Sequence, residues 1–316
     1  MERPRQMLDL ADDPSQLQKL KTAHGRNTSL LSALEATGQA NRIRGWSKRI
    51  RGDGSAEMNR ELMLSICREF DLATLKQHFG RECRNHLESA LYTTPGRFFV
   101  KHPLAGMVIY KDEFVQVHYM HRPPCQLTAA SEGNIETGIT ITGTDSLVLF
   151  AQTEHVNHQT FSVVHDAAAA PVLGPPSNGD SRSGDFVFLE GGRQGMRLLQ
   201  GDAPTSMVVC LAALPRCEST RHFSLRTSRL AGCTAASVTD SRLQLIAAAL
   251  AHLCGNGAVS SLLDLSHHPT TFVRWSALRA LYQVDAESAS TRLSEMREDD
   301  PNDEIRNLAA RSLEQG

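Results

Sequence analysis

Two groups of histidines are the residues of this chain best suited to chemistry. One is His118 and His121, just before Pro123-Pro124. The other is Glu154-His155-Val156-Asn157-His158, with His165 close behind. Neutral imidazoles are the commonest metal-binding side chains, and several of them with open coordination positions suit Fe(II). Both groups lie on or beside segments that read as strands. Alternate residues of a strand share a face, so His155 and Asn157 point together while His158 points the other way. His155 and His158 converge only across a turn or bulge, and His118 and His121, also three apart, have the same parity problem. A metal site therefore needs His118, His155, His158 or His165 to arrive from at least two strands, each ring held by a further hydrogen bond. Without that convergence they are strand-end or surface histidines.

A second group suits anions. Arg193 follows the Gly191-Gly192 pair, Gln194 comes next, and Arg197 lies on the strand beyond. A guanidinium cannot ligate a metal but pairs well with carboxylate or phosphate. With Gln116 and His118 from an earlier strand, these are the expected ligand-binding residues of a small-molecule pocket. Gly191-Gly192-Arg193-Gln194-Gly195 lacks the Lys-Ser/Thr of a phosphate-cradling loop. No Gly-x-Ser-x-Gly elbow occurs, and Cys125 after Pro124 is the one thiol placed for reactivity, in a residue type that is usually buried and inert.

The elements that must position these residues are short strands. Phe98 to Val100, Met107 to Tyr110, Phe114 to Tyr119, Gly138 to Thr142, Leu147 to Phe150 and Phe161 to Val164 are rich in β-branched and aromatic residues and separated by turn formers. A loop is expected through Ala167, Pro171, Pro176 and Gly179. It feeds Gly184-Asp185-Phe186-Val187-Phe188-Leu189, followed by Met196 to Leu199 and Met207 to Leu211. Such a run of short strands suits a jelly-roll or barrel.

The Gly-Asp strand and Gly turn resemble the second motif of the cupin family, and the layout is most similar to its thiol-dioxygenase-like branch. The resemblance implies a His-x-His pair after Arg122-Pro123-Pro124 and a third histidine after Gly192, together holding Fe(II). This chain has Thr128 to Gly133 at the first place and Arg193 to Met196 at the second. The family's metal site is carried over to no residue, so no metal is expected.

Before residue 96 the texture is helical, with apolar residues at three-to-four spacing in Met58 to Cys67 and Leu72 to Leu91. Arg42-Ile43-Arg44-Gly45-Trp46-Ser47-Lys48-Arg49-Ile50-Arg51 is strongly basic. It suits phosphate or an acidic partner, or else forms a solvated helix face or linker ahead of Gly52-Asp53-Gly54-Ser55. Near the other end, Pro269-x-x-x-Val273-Arg274-x-x-Ala277-Leu278-Arg279-Ala280-Leu281 recurs as Pro301-x-x-x-Ile305-Arg306-x-x-Ala309-Ala310-Arg311-Ser312-Leu313, at an offset of 32. One further step back reaches Arg242. This pattern resembles HEAT-type repeats, which implies stacked helix pairs and a partner-binding surface. Two and a half units are expected to dock on the barrel, with Trp275 in the contact.

The 316 residues carry a formal charge of -2, with 41% hydrophobic and 22% charged residues, as in ordinary soluble domains. That balance argues against nucleic acid as the partner of the whole chain. Seven cysteines without CxxC pairs suit reduced thiols. With no apolar run of membrane-spanning length and no signal-peptide core, a cytoplasmic location is expected. The expected fold class is α+β multidomain: a helical N-terminal segment (1–95), a cupin-like β jelly-roll or barrel (96–230) and C-terminal HEAT-like α-helical repeats (236–316). The leading expectation is a ligand-binding or regulatory interaction protein without a cofactor. It would bind a protein partner through the repeats and a small molecule in the barrel, and a homodimer is compatible with it. The alternative is a divergent Fe(II)-dependent cupin oxygenase using the histidines above.

Overall fold

The computed structural model describes residues 14–25, 30–88, 92, 97–101, 104–124, 138–164, 171–199, 201 and 203–315. Among the described residues five helices come first: α1 (Pro14–Gly25), α2 (Leu30–Ala36), α3 (Gln39–Ser47), α4 (Ala56–Arg68) and α5 (Leu72–Glu88). Ser55 starts α4 by accepting from the Met58 amide, and Asp71 starts α5 by accepting from Ala73 and Thr74. Those bonds hold the Asp71 carboxyl below its ordinary pKa. The basic run is α3 and the turn after it. Ile43, Ser47 and Ile50 are buried, and Arg42 forks onto Glu69 at 3.0 and 2.7 Å.

Thirteen strands follow among the described residues: β1 (Arg97–Lys101), β2 (Leu104–Lys111), β3 (Val115–Arg122), β4 (Gly138–Ile141), β5 (Ser146–Gln152), β6 (Val156–Val164), β7 (Val172–Leu173), β8 (Ser177–Ser181), β9 (Phe186–Leu189), β10 (Gln194–Leu198), β11 (Thr205–Ala212), β12 (Ser219–Ser224) and β13 (Leu230–Ala235). All their pairings are antiparallel. The first sheet runs β1-β2-β3-β11-β5-β9, the second is built on β6 with β10, β7 and β8, and the third runs β13-β12-β4. The loop expected over 167–179 is corrected in part. Val172–Leu173 and Ser177–Ser181 pair with β6, the latter with no apolar side chain to betray it.

The first sheet is buried on both faces. One face carries Val115, Val117, Leu147, Leu149, Val208 and Cys210, which share a core with Ile43, Leu62, Met63 and Ile66 of the helices. The other face carries Val148, Phe150, Met207 and Val209, which pack with Val156, Met196 and Leu198 of the second sheet. Double burial explains why β11 reads as an apolar run rather than an alternation. The third sheet covers the far side of the second through Ile139, Ile141, Phe161, Leu173 and Phe223.

One buried carboxylate ties these layers. Asp145, 1% exposed, accepts from Arg216 Nε and Nη2 at 2.5 and 2.8 Å, from Asn59 Nδ2 on α4 at 2.8 Å and from the Gly191 amide at 2.9 Å. Its charge pushes the Arg216 pKa up. Gly191 must approach closely, because a Cβ there would lie 2.7 Å from the Gly143 carbonyl oxygen. Gly192 adopts φ of 75°, which an L side chain disfavours.

The C-terminal helices are α6 (Val238–Cys254), a 3₁₀ turn (Gly255–Ala258), α7 (Val259–Leu265), α8 (Thr271–Val284), α9 (Ala286–Asp299) and α10 (Asp303–Gln315). Ser237 caps α6 and Asp285 caps α9. Their core is their own: Ala247, Ala251, Leu262, Leu278, Leu281, Met296 and Ile305 form a cluster with no strand residue. Trp275, partly buried, packs against that cluster. The link to the sheets includes the Thr271 amide donating to Glu218 Oε2 at 3.0 Å. A further correction concerns apolar length. Val238–Leu265 is long and apolar enough to cross a membrane by length and composition, although the 3₁₀ turn interrupts it.

Candidate functional site

Gln116 and His118 lie on the face of β3 that carries Met120, toward the second sheet. The His118 ring is 8% exposed, edge-on to Phe99 with centroids 5.4 Å apart. Gln116 Nε2 donates to its Nε2 at 2.7 Å, which places the ring proton on Nδ1. Burial lowers the His118 pKa. His158, 5% exposed, faces the same interior from β6 and lies against Phe150 with centroids 5.8 Å apart. A Cβ on Gly179 of β8 would fall 2.3 Å from its Nε2, so that glycine gives the ring its room. Among the described residues, Nδ1 of both rings is buried without a partner.

These rings do not make up a three-imidazole centre. His118 pairs with Val209 on β11, and Val209 with Val148 on β5, the strand whose Phe150 meets His158. Two strand spacings, roughly 9–10 Å, thus separate the His118 backbone from β5. His155 precedes β6, is half exposed and holds Asp180 at 2.5 Å. His121 turns to the helical side and meets Ser206 Oγ at 3.1 Å. Among the described residues no three His, Cys, Asp or Glu side chains group as metal ligands. Those present do not fit the iron set the resemblance implies, and no step is derived through iron. His165 and Cys125 lie outside the described residues.

The three residues after the Gly-Gly turn part company. Arg193 is 72% exposed and 3.4 Å from Glu190. Gln194 Oε1 accepts from the Glu190 amide at 3.2 Å. Arg197 faces the outer side of β10, away from Met196 and Leu198, and donates Nε and Nη2 to Gln159 Oε1 at 2.9 and 2.6 Å. Its guanidinium stands over the Phe161 ring at 5.8 Å. The structure therefore brings Gln116 and His118 together inside, leaves Arg193 at the surface and places Arg197 in a cavity of about 220 Å³ between the turns after β7 and β12. A second, open cavity of about 500 Å³ includes Thr140, His222 and Arg226 on the third sheet. Sequence reasoning named Arg197 but neither cavity, because β12 is mostly polar and β13 is built mostly of small residues.

The outer face of α6 is a different kind of surface. Val238, Leu245, Ile246 and Leu253 are 69%, 72%, 48% and 83% exposed. Their spacing puts them on one helical stripe. Arg242 and His252 are exposed beside them. The opposite end of the stack is closed by α10, whose Asn307, Arg311 and Glu314 are exposed. Of this surface the repeat register singles out only Arg242, beside the stripe, and none of the four apolar residues.

Residues 238–314 match the HEAT repeats family. No curated protein matches the chain by sequence. Among solved structures, the Drosophila melanogaster CENP-C cupin domain is 14% identical, over 37% of this chain and 75% of that one, with a TM-score of 0.26. Drosophila melanogaster CENP-C bound to CAL1 is 14% identical over 40% and 83%, with a TM-score of 0.27. Pac13 of Streptomyces, a nucleoside dehydratase, is 10% identical over 41% and 85%, with a TM-score of 0.26.

Proposed function

We propose that this protein is a non-catalytic interaction module whose helical stack docks an amphipathic helix of a protein partner along the outer face of α6. The observation that carries this reading is the difference between the two ends of the stack. Helical-repeat arrays need a polar outer face at each free end. α10 supplies one, whereas α6 offers Leu245, Ile246 and Leu253 to solvent. Single exposed apolar residues need no explanation, but a stripe along one helix marks a contact surface.

Charge specifies the occupant. Arg242 borders the stripe and has no ion-pair partner among the described residues, and His252 lies further along. An amphipathic helix with an apolar face and acidic flanks satisfies both the stripe and the free guanidinium. The sheets and their helical cover then act as a rigid base for the stack. The small-molecule and oxygenase readings of the barrel interior have less support, since its imidazoles stand apart.

A photo-crosslinking residue at position 245 tests this in cells, with the captured peptide sequenced. An acidic amphipathic segment of another protein is expected, with capture lost in Arg242→Glu and in Leu253→Asp. Capture of a second copy of this chain, of lipid, or of nothing would overturn the reading.

A further inference from the structure

We propose that the cavity over Arg197 is a binding site for a small carboxylate with an apolar body. This site lies on the outer face of the second sheet, apart from both the barrel interior and α6. Its volume, about 220 Å³, holds about seven waters at ~30 Å³ each. That is below the ~300 Å³ where drug-sized pockets begin.

The guanidinium is set in place before any ligand arrives. Asn178 Oδ1 accepts from Gln159 Nε2 at 2.9 Å, which turns Gln159 Oε1 toward Arg197. That oxygen takes Nε and one arm of Nη2, and Phe161 supports the plane from below. The Nη1 edge is left to the cavity. Gln159 is neutral, so the half-buried cation has no carboxylate among the described residues, and none of the residues lining the cavity is acidic. A partly desolvated charge without a counter-charge favours an anion, and a fixed fork favours the planar carboxylate.

The rest of the wall is mixed, with Gln159, Gly174 and Ser228 beside an apolar part. Leu173, Leu225, Pro175 and Pro176 line it, and the two prolines offer no amide donor. Arg197 therefore supplies the charge recognition alone while the apolar wall takes the body of the ligand. The neighbouring turn is under strain in the same place. Ser228 has φ of 58°, uncommon for a non-glycine residue, and its carbonyl accepts from the Leu173 amide at 2.9 Å. That bond holds the β12–β13 turn against the cavity, and backbone strain of this kind clusters at binding sites.

Benzoate, benzyl alcohol and inorganic phosphate are the probes, titrated into the full chain with binding followed by ¹H–¹⁵N shifts of Phe161 and Leu173. Saturable binding of benzoate at millimolar concentration is expected, about tenfold or more tighter than benzyl alcohol, because the charge-assisted bonds are lost with the alcohol. Arg197→Met, checked for an unchanged melting temperature, should lose the preference, and Arg197→Lys should restore part of it. Should Arg197→Met fail to fold, Gln159→Leu, which frees the fork, serves in its place and should weaken benzoate severalfold. No saturation by benzoate, tighter binding of phosphate than benzoate, or equal binding of benzoate and benzyl alcohol would overturn the proposal.

Discussion

Arg274 places both arms of its guanidinium on Asp300, at 2.9 Å from Nε and 2.7 Å from Nη2, with the two side chains 4% and 1% exposed. The pair links α8 to the turn before α10, and Arg274 Nη1 also closes on the His268 and Pro269 carbonyls. The same carboxylate accepts from the Asn302 amide at 2.9 Å. One repeat earlier, the positions of this pair hold Arg242 and His268. His268 keeps the turn, accepting from the Thr270 amide at 3.1 Å, but brings no carboxylate. Arg242 is accordingly exposed.

Removing one partner of the buried pair leaves the other charged in a dry setting. Asp300→Ala should cost about 3–5 kcal/mol, while replacing both as Arg274→Met/Asp300→Leu should cost much less. Urea unfolding followed at the Trp275 fluorescence measures both.

His268→Asp should rebuild the missing pair. The aspartate can still accept from the Thr270 amide, and it offers Arg242 an anion worth up to about 1 kcal/mol. A raised melting temperature, lost again in Arg242→Gln/His268→Asp, is the expected result. Since Arg242 would then be occupied, crosslinking of the partner helix at position 245 should also fall.

Arg216→Ala should destabilise the β unit by about 3–5 kcal/mol, because it strands the Asp145 carboxylate between Asn59 and the Gly191 amide. Asp145→Asn is expected to be milder, since the amide oxygen still accepts while the charge goes. Denaturant midpoints for the two variants give the order.

Acid should loosen the sheets through His118. Burial lowers its pKa below the ordinary 6.5, and His78 shifts the same way for the same first cause. The unfolded chain thus takes up these protons first as pH falls. Stability is complete above about pH 6.5 and is lost as pH drops toward the lower folded values. The urea midpoint should be lower at about pH 5 than at about pH 7.5, and His118→Leu should flatten part of that slope.

Protein purified without chelators or a metal-affinity tag should carry no stoichiometric iron, nickel or zinc. His155 is engaged at the surface by Asp180, while His118 and His158 are anchored on strands of different sheets. Elemental analysis gives the answer, and metal lost in His118→Ala/His158→Ala would show that the interior histidines bind it after all.

Strand positions were largely readable, because β-branched and aromatic runs between turn formers have few other uses. What covers each face was not. Val115, Val117 and Tyr119 alternate with Gln116 and His118, which marks two different faces; the apolar one packs on the N-terminal helices and the other faces the second sheet, and nothing in the strand itself names either cover. Periodicity reports that two faces differ, not what covers them. The helical repeats were readable residue by residue, since Pro, the β-branched residue, Arg and Ala each hold a fixed place in packing. The Arg197 cavity was not, because it depends on β8 and the β12–β13 turn. Ser177 to Ser181 carry no apolar side chain, and the strain at Ser228 leaves no mark in residue type.

The first sheet, covered on both sides, acts as a party wall. A gene fragment cut at the apparent boundary near residue 96 would inherit that wall with one side stripped, leaving Val115, Val117, Leu149 and Val208 in water. It would clump rather than fold, and so would the helices expressed without the wall. Any transplant of the β unit into another protein must therefore carry its helical cover with it, so the smallest portable piece is larger than either texture in the sequence suggests.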